Sequence, residues 1–438
     1  MGRLHLCALV VIAGCRFGFD DASSSTPDGG GPDAPAGVAR ITIQHIGSAG
    51  GTIMGNNLFQ CSTSTCTLEV PNGTAVWLRG VAAADGWFAG WSGACGGTFT
   101  CELTANGDIN VGAEFAPLPN RVFVTSTTTD GAFGGLAGAD SICATRAAAG
   151  GLSGTFVAYL SDSTTDAADR VSTSRGWVRV DGAPFADAPT AFSNGKIVFP
   201  LRLDEYGNDV GNVLVYTGTS GGTASTELCA DWTSNLATDT GTVTRSEYAA
   251  ALLNGSTGDC DSAAHLMCVE TGRNVPLAIH PDPQAHLAFV SKTEWIPGQG
   301  RSSADAVCIA DAAAAGLSGD FLAGVATTTE SIESRFAPGL IFRRVDGVRL
   351  LRGAGIFATD YLDVPPELDS LGGHIDNDFW TGTLRWNAPA ELTQNCGDWS
   401  TGDAGTTAEM HETSNTDLRT SAKRDPCSTS IPVLCFEQ

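Results

Sequence analysis

The chain has 438 residues, 42% of them hydrophobic, which is too long for one ordinary core and predicts roughly two to four folded units. Its net charge is −24, from 24 basic and 48 acidic side chains. Nucleic acid, acidic polysaccharide and anionic lipid each need a basic stripe on the protein, none is apparent in this sequence, and those partners are argued against. Fourteen cysteines beside only four methionines fit an oxidising compartment in which thiols pair.

At the N-terminus, Arg3 and His5 precede an apolar run, Leu6 to Ala13, that is too short to span a bilayer. Residues 1–14 therefore read as an export leader. The run closes on Ile12-Ala13-Gly14-Cys15, which resembles the lipobox of bacterial lipoproteins. The resemblance implies cleavage before Cys15 and acylation of its thiol, hence a membrane partner reached through a lipid anchor. Several acyl chains at about 0.8 kcal/mol per buried methylene would anchor stably. Arg16 in place of Asp favours an outer-membrane lipoprotein of the cell envelope. Residues 15–37, rich in Asp, Ser, Pro and Gly, cannot offset their own ordering entropy and read as a tether. Its reach is roughly 25 Å.

Residues 38–116 have a β pattern. Ile41, Ile43 and His45 alternate with Thr42 and Gln44, and Ile109, Val111, Ala113 and Phe115 alternate with polar or small residues, as half-buried strands do. Turns are marked at Ala49-Gly50-Gly51, Pro71-Asn72-Gly73 and Asn106-Gly107-Asp108. The stretch Trp87 to Thr104, WFAGWSGACGGTFTCELT, resembles the divergent internalin-type B-repeat of bacterial surface proteins. That family implies a small all-β, β-grasp-like sheet with cysteine-stapled loops. The staples would be Cys61 with Cys66 and Cys95 with Cys101, although four cysteines allow three connectivities and spacing does not decide among them. Trp87 and Trp91 are expected to pack inside.

The rest is a tandem duplication. Cys143, Cys229, Cys260 and Cys268 are separated by 86, 31 and 8 residues; Cys308, Cys396, Cys427 and Cys435 by 88, 31 and 8. GLSG (151–154, 316–319), RVDG (179–182, 344–347), TGT (217–219, 381–383) and an Asp-Trp pair after each second cysteine also recur. Each copy is expected to open with a strand, Val122–Ser126 or Leu287–Ser291. A helix should follow, about Ala139–Ala149 or Ala304–Ala315, carrying the first cysteine on its buried face and stopped by Gly. A second, shorter helix is expected in Thr164–Val171 and Thr328–Phe336, followed by short strands ending at Leu266–Val269 and Val433–Phe436.

Both copies resemble a bacterial domain of unknown function that groups with endostatin-like and C-type-lectin-like folds, through FVTSTTTDGAFGGLAGADSIC, WVRVDG, VYTGT, CADWTS and LCFEQ. The resemblance spans residues 120–271 and 286–438 and implies α+β modules. It also implies nested disulfides: Cys143 with Cys268, Cys229 with Cys260, Cys308 with Cys435 and Cys396 with Cys427. Residues 272–285, with three prolines, read as a short stiff linker.

Chemistry is sparse. Gly218-Thr219-Ser220-Gly221-Gly222 matches GxSxG, but the second copy has no serine there, and a nucleophile elbow needs a strand before it and a helix after. The histidines offer no HExxH and no zinc spacing. No cofactor is expected except calcium, a cation that takes six to eight hard oxygens. Its candidate ligands are Asp204, Glu205, Asn208 and Asp209 in the first copy and Asp376 and Asp378 in the second. The sugar-binding signatures of C-type lectins are absent. Among the aromatics, the matched Trp232 and Trp399 are candidate ligand platforms beside their reading as fold-building residues, and Trp386, unique to the second copy, is expected to be exposed. Together these readings predict a non-enzymatic, lipid-anchored envelope protein that presents two lectin-like modules to a glycan or protein ligand. An envelope hydrolase with a loop-borne site and a purely structural spacer are the alternatives.

Overall fold

A computed structural model describes residues 37–246, 255–352, 355–419 and 422–438. The expected export leader, Cys15 and the expected tether up to residue 36 lie outside the described residues. What is described is predominantly β with few helices, arranged as several sheets.

Residues 38–117 form eight strands: β1 (Val38–Ile46), β2 (Gly51–Gly55), β3 (Phe59–Cys61), β4 (Thr65–Pro71), β5 (Thr74–Ala82), β6 (Gly86–Gly93), β7 (Cys101–Ala105) and β8 (Asp108–Pro117). They make two four-stranded sheets, β4-β1-β8-β6 and β3-β2-β5-β7. Alternation explains the pairing: Ile41, Ile43, Val111 and Phe115 from one sheet meet Ile53, Val76, Leu78 and Leu103 from the other in one core. The single β-grasp-like sheet expected from the B-repeat resemblance is therefore replaced by two sheets sharing a core. Trp91 is fully buried in it, and Trp87 packs in a small separate cluster with Val178 of the next module.

The first copy is built on Asn120–Val124, which pairs antiparallel with His265–Thr271 and parallel with Trp177–Arg179. The second repeats this with His286–Val290, antiparallel to Leu434–Glu437 and parallel to Phe342–Arg343. Each carries a long helix, Gly135–Ala149 or Arg301–Ala314, starting a few residues before the expected boundary. The short helix appears as Ala167–Val171 in the first copy and as a 3-10 turn, Glu333–Arg335, in the second.

All six expected disulfides are present, which marks a chain made for an oxidising compartment. The bridge from helix to last strand closes a separation of 125 residues in one copy and 127 in the other. Constraining loops of that length is worth about 5 kcal/mol each in the chain-entropy account. No helix among the described residues is long and apolar enough to cross a membrane.

Two local devices recur. First, Cys229–Trp232 and Cys396–Trp399 wind one turn in the left-handed sense, with every residue at positive φ. Such a turn costs roughly 1–2 kcal/mol per non-glycine residue, so it must be held. Its first residue is disulfide-bonded and its last is a fully buried Trp. Its Asp accepts two bonds from a distant loop: Asp231 from the backbone N–H (2.8 Å) and hydroxyl (2.7 Å) of Ser163, and Asp398 from those of Thr328 (both 2.7 Å).

Second, the RVDG turns are close copies. The arginine of each bonds its own aspartate at 2.7 Å and a proline carbonyl at 3.1 Å, namely Pro200 or Pro365. The final glycine of each lies at positive φ. In the first copy the Gly182 carbonyl accepts a 2.9 Å bond from the Trp87 indole of the β module. In the second, Gly347 closes on the linker, where an added Cβ would come within 2.7 Å of Pro281.

That linker is fastened along its length. Gly97 donates to the His280 carbonyl (2.6 Å), Gln284 donates to the Ala94 carbonyl (2.8 Å), and the fully buried Asp282 pairs with Arg349 of the second copy.

Candidate functional site

Of the nine tryptophans, eight are no more than 5% exposed, while Trp77 is 42% exposed. The reason is local. In β5, Val76 and Leu78 point into the core, so Trp77, Arg79 and Val81 must point out. Strand β2 ends at Gly55, and the side chain of Asn56 continues the edge: its amide accepts from the Trp77 backbone N–H (2.7 Å) and donates to the Ala75 carbonyl (3.0 Å). The register sets Glu102 of β7 directly opposite Trp77 and Met54 of β2 opposite Arg79. Arg79 and Glu102 are both exposed and, among the described residues, neither side chain has a hydrogen-bond or ion-pair partner.

The same face runs into a cleft of about 710 Å³ where all three modules meet. The β module contributes Arg79, Glu102, Thr100, Phe99 and Trp87, the first copy Arg121, Arg179 and Asp181, and the second copy Arg352. Phe99 sits in the loop stapled by Cys95–Cys101, and its carbonyl accepts from the Trp91 indole at 2.5 Å. The Arg352 guanidinium stacks 4.3 Å from the Phe99 ring centroid. A second cleft, about 550 Å³, opens on the other side of Arg179, Asp181 and Arg352, walled by Arg202, Tyr361 and Asp363.

Four arginines and two carboxylates line the larger cleft, the reverse of the whole-chain ratio. Sequence order hides this grouping because the arginines come from three modules. Most of their charge is already met: Arg179 and Arg352 by Asp181, Arg352 also by Asp363, and Arg121 by Glu270. Burial by itself would raise the Asp181 pKa, but the charge and hydrogen bonds of Arg179 and then Arg352 outweigh it and hold it at about 2. The site thus offers an aromatic face, one open donor and one open acceptor, backed by fixed ion pairs. No Ser, Cys or His is among the described residues lining it.

The residues singled out from the sequence lie elsewhere. Trp232 and Trp399 are fully buried, each donating at 2.7 Å to a backbone carbonyl, that of Ser161 or Ala326. The Trp386 expected to be exposed is 1% exposed, packed among Phe357, Phe379, His411 and Phe436. Its loop folds inward, and the backbone N–H of Glu333 donates to its carbonyl at 2.9 Å. None of the three is a surface platform.

The carboxylates considered for calcium are used within the protein. Asp204 is buried and caps its own turn, accepting from the backbone N–H groups of Tyr206 (2.9 Å) and Asn208 (2.8 Å), while the Asn208 amide donates to its other oxygen. Glu205 is buried against Arg146 and Ser126, and Asp209 pairs with Arg202. In the second copy, Asp376 accepts from the Ser414 hydroxyl and Asp378 faces Lys423 at 3.5 Å. Burial pushes the Asp378 pKa up, against the pull of Lys423. Among the described residues no three His, Cys, Asp or Glu side chains gather as a metal-holding group. Ser220 lies in a two-residue hairpin, Thr219–Ser220 against Thr223–Ala224, rather than at a strand-to-helix elbow.

Trp77, Arg79 and Glu102 were missed by sequence reasoning. Their signal is the alternation Val76-Trp77-Leu78-Arg79 after the Asn72-Gly73 turn, which sends the large aromatic to the polar side. Compared with known proteins, the chain matches no family and no curated sequence.

Proposed function

We propose that this chain is a non-catalytic binding protein of the bacterial cell envelope, held to the outer membrane through acylated Cys15 and contacting its ligand on the Trp77 face and the adjoining three-module cleft. The carrying observation is that the one exposed tryptophan among the described residues stands beside an open arginine and an open carboxylate, and those two line that cleft. Exposed aromatics with flanking polar groups suit recognition, since one side of the ring is apolar and its surroundings are wet. The lipobox at Cys15 and the likeness of both copies to C-type-lectin-like domains support the same reading. Here the copies act as a scaffold: they close the cleft with Asp181 and Arg352 and keep their own tryptophans inside.

The test is binding of the whole chain to glycan and protein arrays, with a Trp77→Ala/Arg79→Ala double variant alongside. Ligand capture that the double variant loses supports the proposal. Capture that it keeps, or none above background, overturns the site, and cleavage of a captured ligand overturns the non-catalytic role. Cys15→Ala is expected to abolish incorporation of labelled fatty acid and release the protein from the membrane fraction.

A further inference from the structure

We propose that the ligand of this face is a neutral saccharide chain, one ring of which stacks on Trp77 while adjacent hydroxyls are shared between Arg79 and Glu102. This inference rests on the binding role proposed above and goes further by naming the ligand class.

Three observations carry it. The first is the state of the ring. At 42% exposure, Trp77 stands on the outer face of β5 with much of its apolar ring open to solvent, where the flat apolar face of a sugar ring can be laid over it. A protein anchor works the other way, inserting a side chain into a desolvated pocket. The second is the pairing of open groups. A guanidinium only donates and an ionised carboxylate only accepts, whereas a hydroxyl does both. Arg79 is two residues from Trp77 on one strand, and Glu102 is directly across from Trp77 on the next. Cross-strand neighbours have Cβ atoms about 5 Å apart, so donor and acceptor bracket the indole. A ligand bearing neighbouring hydroxyls satisfies both at once, and a purely anionic ligand satisfies one and is repelled by the other.

The third observation is the charge behind the face. Arg121, Arg179 and Arg352 are already paired with Glu270, Asp181 and Asp363, and the chain as a whole carries −24. Most of the cationic charge lining the cleft is thus already met, which disfavours an acid as the ligand. Arg79 and Glu102 also line the cleft, so a longer saccharide has room to continue from Trp77 into it.

The experiment titrates the whole protein with tetra- to hexasaccharides of glucose, mannose and N-acetylglucosamine, with oligogalacturonate of equal length as the acidic counterpart, by calorimetry and tryptophan fluorescence. One neutral series is expected to bind with an affinity that a tenfold rise in salt leaves unchanged. Trp77→Ala should weaken it about tenfold and Trp77→Phe much less, and Arg79→Ala and Glu102→Ala should each weaken it about tenfold. Binding of oligogalacturonate alone, or neutral binding indifferent to Trp77→Ala, overturns the assignment. A protein ligand lost in Trp77→Ala, with no saccharide bound, overturns the saccharide and leaves the binding role standing. Failure of every probe, saccharide and protein, removes both.

Discussion

Arg352 of the second copy and Asp181 of the first are joined across the module boundary at 2.7 Å, on the same carboxylate oxygen that Arg179 holds from within the first copy. One carboxylate thus serves a turn and a junction. An aspartate held at about 2 when folded and near 3.9 when unfolded binds fewer protons in the folded state. Its contribution is full above about pH 4 and lost as pH falls through about 2. Asp181→Asn is expected to lower stability at pH 7 by about 2 kcal/mol and to flatten urea-unfolding midpoints across that acid window. Midpoints of the variant that still fall as steeply as those of the parent would contradict this.

His411 behaves differently. Burial pushes its pKa down to about 4, against hydrogen bonds to the backbone of Thr383 and Leu418 and the charge of Asp417. It is neutral in the fold and protonates near 6.5 when unfolded. The stability tied to the neutral ring is whole above about pH 6.5 and drains away as pH falls to about 4, by about 3 kcal/mol in all. The equivalent strand of the first copy has Thr244 at this place. His411→Gln should reduce the slope between those two pH values, read from melting temperature against pH, while the first copy's transition keeps its own dependence.

The left-handed turns give a paired prediction. Position two of the turn is Ala230 in one copy and Gly397 in the other, with φ near +51 and +60. A Cβ at Gly397 would meet nothing closer than 3.4 Å, so the substitution tests backbone strain rather than space. Gly397→Ala should cost about 1 kcal/mol and Ala230→Gly should gain somewhat less, because glycine gives entropy back to the unfolded chain. Calorimetry of both variants checks the opposite signs.

Trp77 is directly visible to a quencher. Acrylamide is expected to reach one class of emission in the native protein, and Trp77→Phe should remove that class with little change in unfolding midpoint. Equal quenching in the variant would place the accessible indole elsewhere.

Much of this was legible before any coordinates. The cysteine frame announced the duplication, the disulfide partners followed from the family likeness, and two-residue alternation marked the strands of the β module. Trp232 shows where reading along the chain stops: its hydrogen-bond acceptor is Ser161, 71 residues away, so its burial depends on a contact no window contains. Trp386 misled for the same reason, because an irregular loop hides the fact that it folds onto Phe357 and Phe436. The cleft arginines were invisible as a group, since Arg79, Arg179 and Arg352 belong to three modules. Trp77 was within reach of the alternation rule and needed only to be asked which side of β5 it faces.

The repeated RVDG turn has a consequence for how such a chain grows. In each copy the same four residues meet whatever lies upstream, the Trp87 indole in one case and Pro281 in the other. Duplication therefore copied an attachment point together with the fold. A further unit appended at the C-terminus would arrive with its own knuckle, ready to seat on the preceding neck, and the stack would lengthen head to tail without a new joint having to be invented.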